Sequence, residues 1–191
     1  QGLALVGALT GAVWALRGTQ WLRALAFPLG FLLFMVPIPP AWLAPVIVQL
    51  LLFVTSAATR VLHFFGMPVL REGNVIELPS GESLFVAEAC SGLTSLVTLL
   101  PIAVLIAWLA PIAPRWKFAL ALLAVPIAMF ANLLRVIGTS MGAVRWGVDA
   151  VTGEPAHTLV GLAVYGIACV ALLAIARSMP CACLTRSERA A

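Results

Sequence analysis

Residues 87–110 read AEACSGLTSLVTLLPIAVLIAWLA. From Leu93 to Ala110 no residue carries a charge, and the run approaches the roughly 20 apolar residues needed to cross a bilayer core about 30 Å thick. A glutamate, a thiol, a serine and a glycine stand immediately before it. The stretch therefore reads as a membrane helix with reactive chemistry at its mouth.

The rest of the chain agrees with that reading. Of 191 residues, 63% are hydrophobic and 9% charged, and the mean hydropathy is +1.11. Soluble domains carry about 25% charged residues, so an integral membrane protein is expected, with the lipid bilayer as its solvent. The net charge of +4 does not imply nucleic acid, because the basic residues fall in short loops between apolar runs, where they set membrane orientation. No nucleic-acid partner is expected. The four cysteines, Cys90, Cys169, Cys181 and Cys183, show no disulfide framework.

The predicted architecture is an all-α polytopic bundle with a small extramembrane β-hairpin insert. Leu3–Leu16 and Ala24–Val36 read as the first two spans, the second ended by PIPP at 37–40, since proline cannot continue a helix beyond its first turn. The chain opens at Gln1 inside an apolar stretch, and earlier helices are expected before it. Trp42–Phe65 is apolar but contains Gln49, Thr55, Ser56, Arg60 and His63. Residues 66–88 alternate partly between apolar and polar around the turn signals Gly73-Asn74 and Pro79-Ser80-Gly81, which predicts the β insert. Leu93–Ala110, Phe118–Ile137 and His157–Ala176 complete the spans, with a polar loop expected at 138–156 and a basic tail at 178–191. The whole, 1–191, is read as a single transmembrane catalytic domain.

Orientation follows from basic residues. Arg17, Arg23, Arg115, Lys117, Arg177, Arg186 and Arg189 gather on one side, so the positive-inside rule puts the insert and the 138–156 loop outside. PIPP and the insert then share the outer side, which makes Trp42–Phe65 re-entrant or interfacial.

This topology brings Cys90, Arg135 and His157 to one level at the outer face, with Arg135 about 3 Å below the expected helix end at Ile137. Each has a bland alternative. Arg135, one turn after Asn132, is either a functional group facing a cavity or a snorkelling arginine beside a structural asparagine. Cys169, in an apolar helix, is a small hydrophobe. Ser91 and Gly92 suggest that a helix starts just after Cys90, where free N–H groups and the positive dipole end favour a thiolate. His157 is a proton acceptor, a neighbouring cation, or a helix-start histidine bonded to a loop carbonyl. Jointly the three suit acyl transfer: thiolate attack on a peptide carbonyl, proton shuttling by histidine, oxyanion or carboxylate binding by arginine. Glu88 is placed to tune the site, whereas Glu72, Glu77 and Glu82 read as solvated surface acids.

The motifs FMVPIPP (34–40), GMPVLREGNVIELPSG (66–81), VAEACSGLTSL (86–96), ANLLRVIG (131–138) and HTLVG (157–161) resemble the exosortase and archaeosortase group of membrane cysteine transpeptidases. The resemblance implies Cys90 as nucleophile with Arg135 and His157 completing a catalytic triad, Glu88, Ser91, Gly92 and Asn132 supporting it, and neither metal nor cofactor. It implies a membrane-anchored substrate whose C-terminal sorting tail holds a Pro-Glu-Pro type motif, a transmembrane helix and a basic cluster. The new C-terminus passes through a thioester to an acceptor amine. The group is typical of Gram-negative bacteria that make extracellular polysaccharide, which implies an inner-membrane enzyme with a periplasmic site. Thr94 stands where members often carry a basic residue, which leaves the substrate subtype open.

Two other readings compete. A membrane cysteine protease would use water as acceptor and add no amine to its product. A non-catalytic scaffold or transporter component would use Arg135 and His157 to line a polar pathway and would tolerate loss of Cys90. A metal site built from Cys90, His157 and an acid matches no standard ligand spacing. The Cys181/Cys183 pair is a lipidation or metal-binding pair or part of a disordered tail.

Overall fold

The structure is a computed structural model describing residues 2–86 and 92–180, without the side chains of Pro40 and His157. It falls into two compact units, residues 1–44 and 45–191. The first holds α1 (Gly2–Ala24), α2 (Ala26–Phe31) and a 3-10 turn at Leu32–Met35. The helix α1 runs past the expected end at Leu16 and is interrupted at Gly18, whose φ of 76° lies where glycine carries no steric penalty. Residues 24–36 do not form a span. Ala26–Met35 rises only about 17 Å, well short of the core thickness.

That shortfall removes the reason for a re-entrant Trp42–Phe65. Pro40–Phe64 is one continuous helix, α3, long and apolar enough to cross a membrane. Several of its polar side chains find partners within the helix. The Thr55 and Thr59 hydroxyls donate to the Leu51 and Thr55 carbonyls at 2.7 and 2.9 Å, and Arg60 donates to the Ser56 hydroxyl at 3.3 Å. In the last turn of the helix, His63 donates from Nε2 to the Val69 carbonyl at 2.6 Å.

The predicted insert is a three-stranded antiparallel meander of β1 (Leu70–Glu72), β2 (Val75–Glu77) and β3 (Ser83–Phe85). Its two turns fall at Gly73-Asn74 and Pro79–Gly81, the first with Gly73 at φ 62° and the second with Gly81 at φ 83°. Alternation turns Ile76 and Leu84, which are cross-strand partners, to the same buried face. There they pack with Leu51, Val54, Ala58 and Leu62 of α3.

The helices α4 (Leu93–Leu109), α5 (Pro114–Trp146), α6 (Val148–Thr152) and α7 (Ala156–Ser178) follow. Buried residues recur at four-residue steps: Leu99, Ala103 and Ala107 on α4, Leu120, Ala124 and Ala128 on α5, Ala168, Leu172 and Ala176 on α7. Small side chains at this spacing let helix backbones approach closely, which drives association in a medium as apolar as leucine. The end of α4 and the start of α5 are also tied, by Lys117 Nζ donating to the Trp108 carbonyl at 3.1 Å.

The expected loop at 138–156 is largely helical. Continuing to Trp146, α5 has 33 residues, about 50 Å, and so extends beyond a bilayer core. Its last turns are stabilised by packing rather than by propensity. Val136 and Ala143 bury against the sheet cluster, and the Ser140 hydroxyl bonds the Val136 carbonyl at 2.9 Å. Arg135 is therefore eleven residues, about 16 Å, from the helix end instead of 3 Å.

Candidate active site

A cavity of about 380 Å³ opens where the starts of α4 and α7 meet the upper half of α5. This volume lies within the range of small-ligand pockets. Its floor is Leu99, Ala128 and Ala168, the top of the alanine-rich core. The walls carry hydroxyls from Thr94, Ser95, Thr98, Thr158 and Tyr165, with Asn132 and the half-buried Arg135 from α5.

Asn132 occupies the same buried stripe as Ala124 and Ala128, one turn further along, and is 1% exposed. Arg135 follows three residues later, on the adjoining face of the helix. Two glycines give these side chains room. Gly92 precedes the first residue of α4 with φ 91°, and a Cβ placed there would stand 3.4 Å from Asn132 Nδ2. Gly161 on α7 faces Arg135, whose Cζ and Nη2 would each lie 3.4 Å from a Cβ. The helix α7 begins at Ala156, so His157 is its second residue, in the turn before Gly161. The next residue, Thr158, donates to Glu154 Oε1 at 2.8 Å, which braces this end of the helix.

Cys90, Ser91 and Glu88 lie outside the described residues, as do Cys181 and Cys183 in the tail. Of the expected site, the structure thus brings Arg135 and Asn132 to one cavity that reaches Thr158, the neighbour of His157 in α7, with Gly92 against Asn132. The Cys90 position is two residues before Gly92 in the chain. Gly161, Thr98, Thr158 and Tyr165 were not singled out from sequence for this role. The available signal was the four-residue spacing of His157, Gly161 and Tyr165, which places all three on one helical face. Among the described residues no group of three or more His, Cys, Asp or Glu is arranged to hold a metal ion.

The segment that leads toward position 90 is held by the insert. The Val86 N–H donates to the Asn74 carbonyl at 3.0 Å, and Asn74 Nδ2 donates to the Val86 carbonyl at 3.3 Å. Glu82 reaches from the insert to accept the Val148 N–H at 3.3 Å, linking the sheet to α6.

A family model described as a transmembrane exosortase (Exosortase_EpsH) matches residues 1–174 of the 191. No curated protein and no solved structure matches the chain. The match spans the insert, the cavity-lining turns of α4, α5 and α7, and the motifs at 86–96, 131–138 and 157–161, and by it the chain belongs to the transmembrane exosortase family.

Proposed function

We propose that this protein is an exosortase-like membrane cysteine transpeptidase that cuts the C-terminal sorting tail of exported proteins. The observation that carries the reading is the cavity at the mouth of α4, which gathers a half-buried arginine, a buried asparagine and the first turns of α7; in the sequence Cys90 comes three residues before α4. Arginine and asparagine supply donors, and five wall hydroxyls supply both donors and acceptors, a lining suited to a peptide backbone.

In this reading the Cys90 thiolate attacks the scissile carbonyl carbon, and Arg135 stabilises the developing oxyanion. The C–N bond breaks as His157 gives a proton to the departing amine, leaving a thioester on Cys90. His157 then takes a proton from the incoming acceptor amine, whose nitrogen attacks the thioester, and thiolate leaves as the new amide forms. No metal or cofactor enters any step. Asn132 and Gly92 fit together and hold the entry of α4 against α5, and Ser91 and Glu88 complete the supporting set.

Charge supports an outer-face site. At one end of the second unit stand Arg115, Lys117 and Arg177 with no acid among them. At the other, five acids, Glu72, Glu77, Glu82, Asp149 and Glu154, outnumber the two arginines Arg71 and Arg145. The positive-inside rule assigns the first end to the cytoplasm, which puts the insert and the cavity on the periplasmic side of a bacterial inner membrane. A substrate tail helix beside the bundle would then present its outer junction at the cavity.

The test is processing of a membrane-tethered Pro-Glu-Pro tail reporter by wild type, Cys90→Ala, Arg135→Ala and His157→Ala proteins at matched abundance. Cleavage is expected to fall to background in Cys90→Ala and by about 10²–10³ in Arg135→Ala, the cost of an oxyanion donor. Full cleavage by Cys90→Ala would refute the nucleophile. A product carrying no added amine would leave hydrolysis as the activity.

A further inference from the structure

Of the four glycines on α5 and α7, two face open space and Gly142 meets the apolar Val151 and Trp146. Gly166, on α7, is exposed and has nothing within 4 Å of where a Cβ would be, and Gly138 on α5 is likewise open. Gly161 is different. Three guanidinium atoms of Arg135, Cζ, Nη2 and Nε, stand 3.4, 3.4 and 3.7 Å from its Cβ position. Such near-equal distances mean that the guanidinium rests against α7 here by its breadth and not by a single tip. The contact joins two helices that each carry a member of the proposed triad, since His157 sits one turn before Gly161 on the same helical face.

We propose that Gly161 is a positioning residue: its missing side chain is the seat on which α7 holds the Arg135 guanidinium beside the turn that carries His157. The proposal rests on the reading of this cavity as the transpeptidase site. Glycine in a helix interior is less favourable than alanine, so a glycine here weakens α7 while making room for the arginine. An alanine methyl would sit at the limit of ordinary contact with the guanidinium. Any longer side chain at 161 would occupy the space the guanidinium now fills and displace it from α7. Catalytic groups are sensitive to such shifts, because a misplacement of about 1 Å costs on the order of 10² in rate.

The experiment compares two glycines of one helix in the full chain, reconstituted in bilayers with the tail reporter. The variants are Gly161→Ala, Gly161→Leu, Gly166→Ala, Gly166→Leu and Cys90→Ala, and the readouts are kcat, KM and the thermal midpoint. At position 161 kcat is expected to fall several-fold with alanine and about 10²-fold with leucine, with KM within about twofold in both. The midpoint of Gly161→Ala should equal or exceed that of wild type, since alanine favours the helix. Both replacements at 166 should keep kcat within about twofold. The seat is overturned if Gly161→Leu turns over at the wild-type rate, if 161 and 166 lose activity equally, or if Gly161→Ala loses kcat only together with a fall in the midpoint. Loss of cleavage in Cys90→Ala with wild-type turnover by Gly161→Leu overturns the seat alone, whereas cleavage surviving Cys90→Ala overturns the transpeptidase reading and the proposal with it.

Discussion

The two halves of α5 share one stripe and use it differently. In the lower half the buried positions are Leu120, Ala124 and Ala128, packed on the alanines of α4 and α7. In the upper half the same four-residue step continues as Asn132, Val136 and Ser140, with Arg135 beside it. The switch falls between Ala128 and Asn132, and the cavity opens at that level, with Ala128 in its floor and Asn132 in its wall. One helix therefore serves as a close-packed dry strut below and, at Asn132 and Arg135, as a cavity wall above, before Val136 returns its stripe to packing against the sheet cluster. The lesson is that packing period and chemistry are set independently. The period keeps the helix seated, while the residue type at each step decides whether the seat is inert.

Substitutions in the two halves should separate stability from turnover. The largest effect is expected for Ala124→Leu, which inserts extra volume where α4, α5 and α7 meet and should destabilise the bundle by about 1–3 kcal/mol. The thermal midpoint should drop while cleavage per folded molecule stays within about twofold. Loss of specific activity at unchanged midpoint would break the division. Gly92→Ala acts at the opposite end. A side chain at φ 91° is strained by about 1–2 kcal/mol, and its Cβ would stand at the limit of ordinary contact with Asn132. Reporter processing should slow by roughly tenfold with little change in abundance, and wild-type rates would show that the Gly92–Asn132 fit plays no part in the site. The smallest change is expected for Glu82→Gln, which weakens one exposed hydrogen bond between insert and α6. It should alter stability by less than about 1 kcal/mol and leave processing intact. A severe loss would mean that the insert does more than brace the segment before position 90.

Much of this architecture could be read from residues alone, for identifiable reasons. The helices Leu93–Leu109 and Ala156–Ser178 follow from largely apolar runs, although the first, with 17 residues, is shorter than the span expected at 93–110, and the meander announces itself through Gly73-Asn74 and Gly81 with alternation between them. The failures have two sources. Counting 24–36 as a span put PIPP and the insert on one side and made 42–65, with Gln49, Thr55, Ser56, Arg60 and His63 in it, re-entrant or interfacial, while the polar, glycine-containing stretch 138–156 read as a loop. In the structure Thr55, Thr59, Ser56, Arg60 and Ser140 bond within their own helix, and Val136 and Ala143 bury against a sheet some sixty residues earlier in the chain. Polarity was legible, but its satisfaction was not. For the site, the spacing of Asn132 and Arg135 placed both near one level of one helix without the structure. The role of Gly161 was hidden because it depends on a distance between helices that no single-helix pattern records.

The central claim is that Cys90 carries the substrate as a thioester, and the direct measurement is mass spectrometry of the purified full-length enzyme mixed with a tail substrate and no acceptor amine. The account predicts an adduct of the substrate's N-terminal portion on the peptide containing Cys90, removed by hydroxylamine and missing from Cys90→Ala. Substrate cleaved at the wild-type rate with no adduct on Cys90 under any quench, or an adduct on another residue, would contradict it.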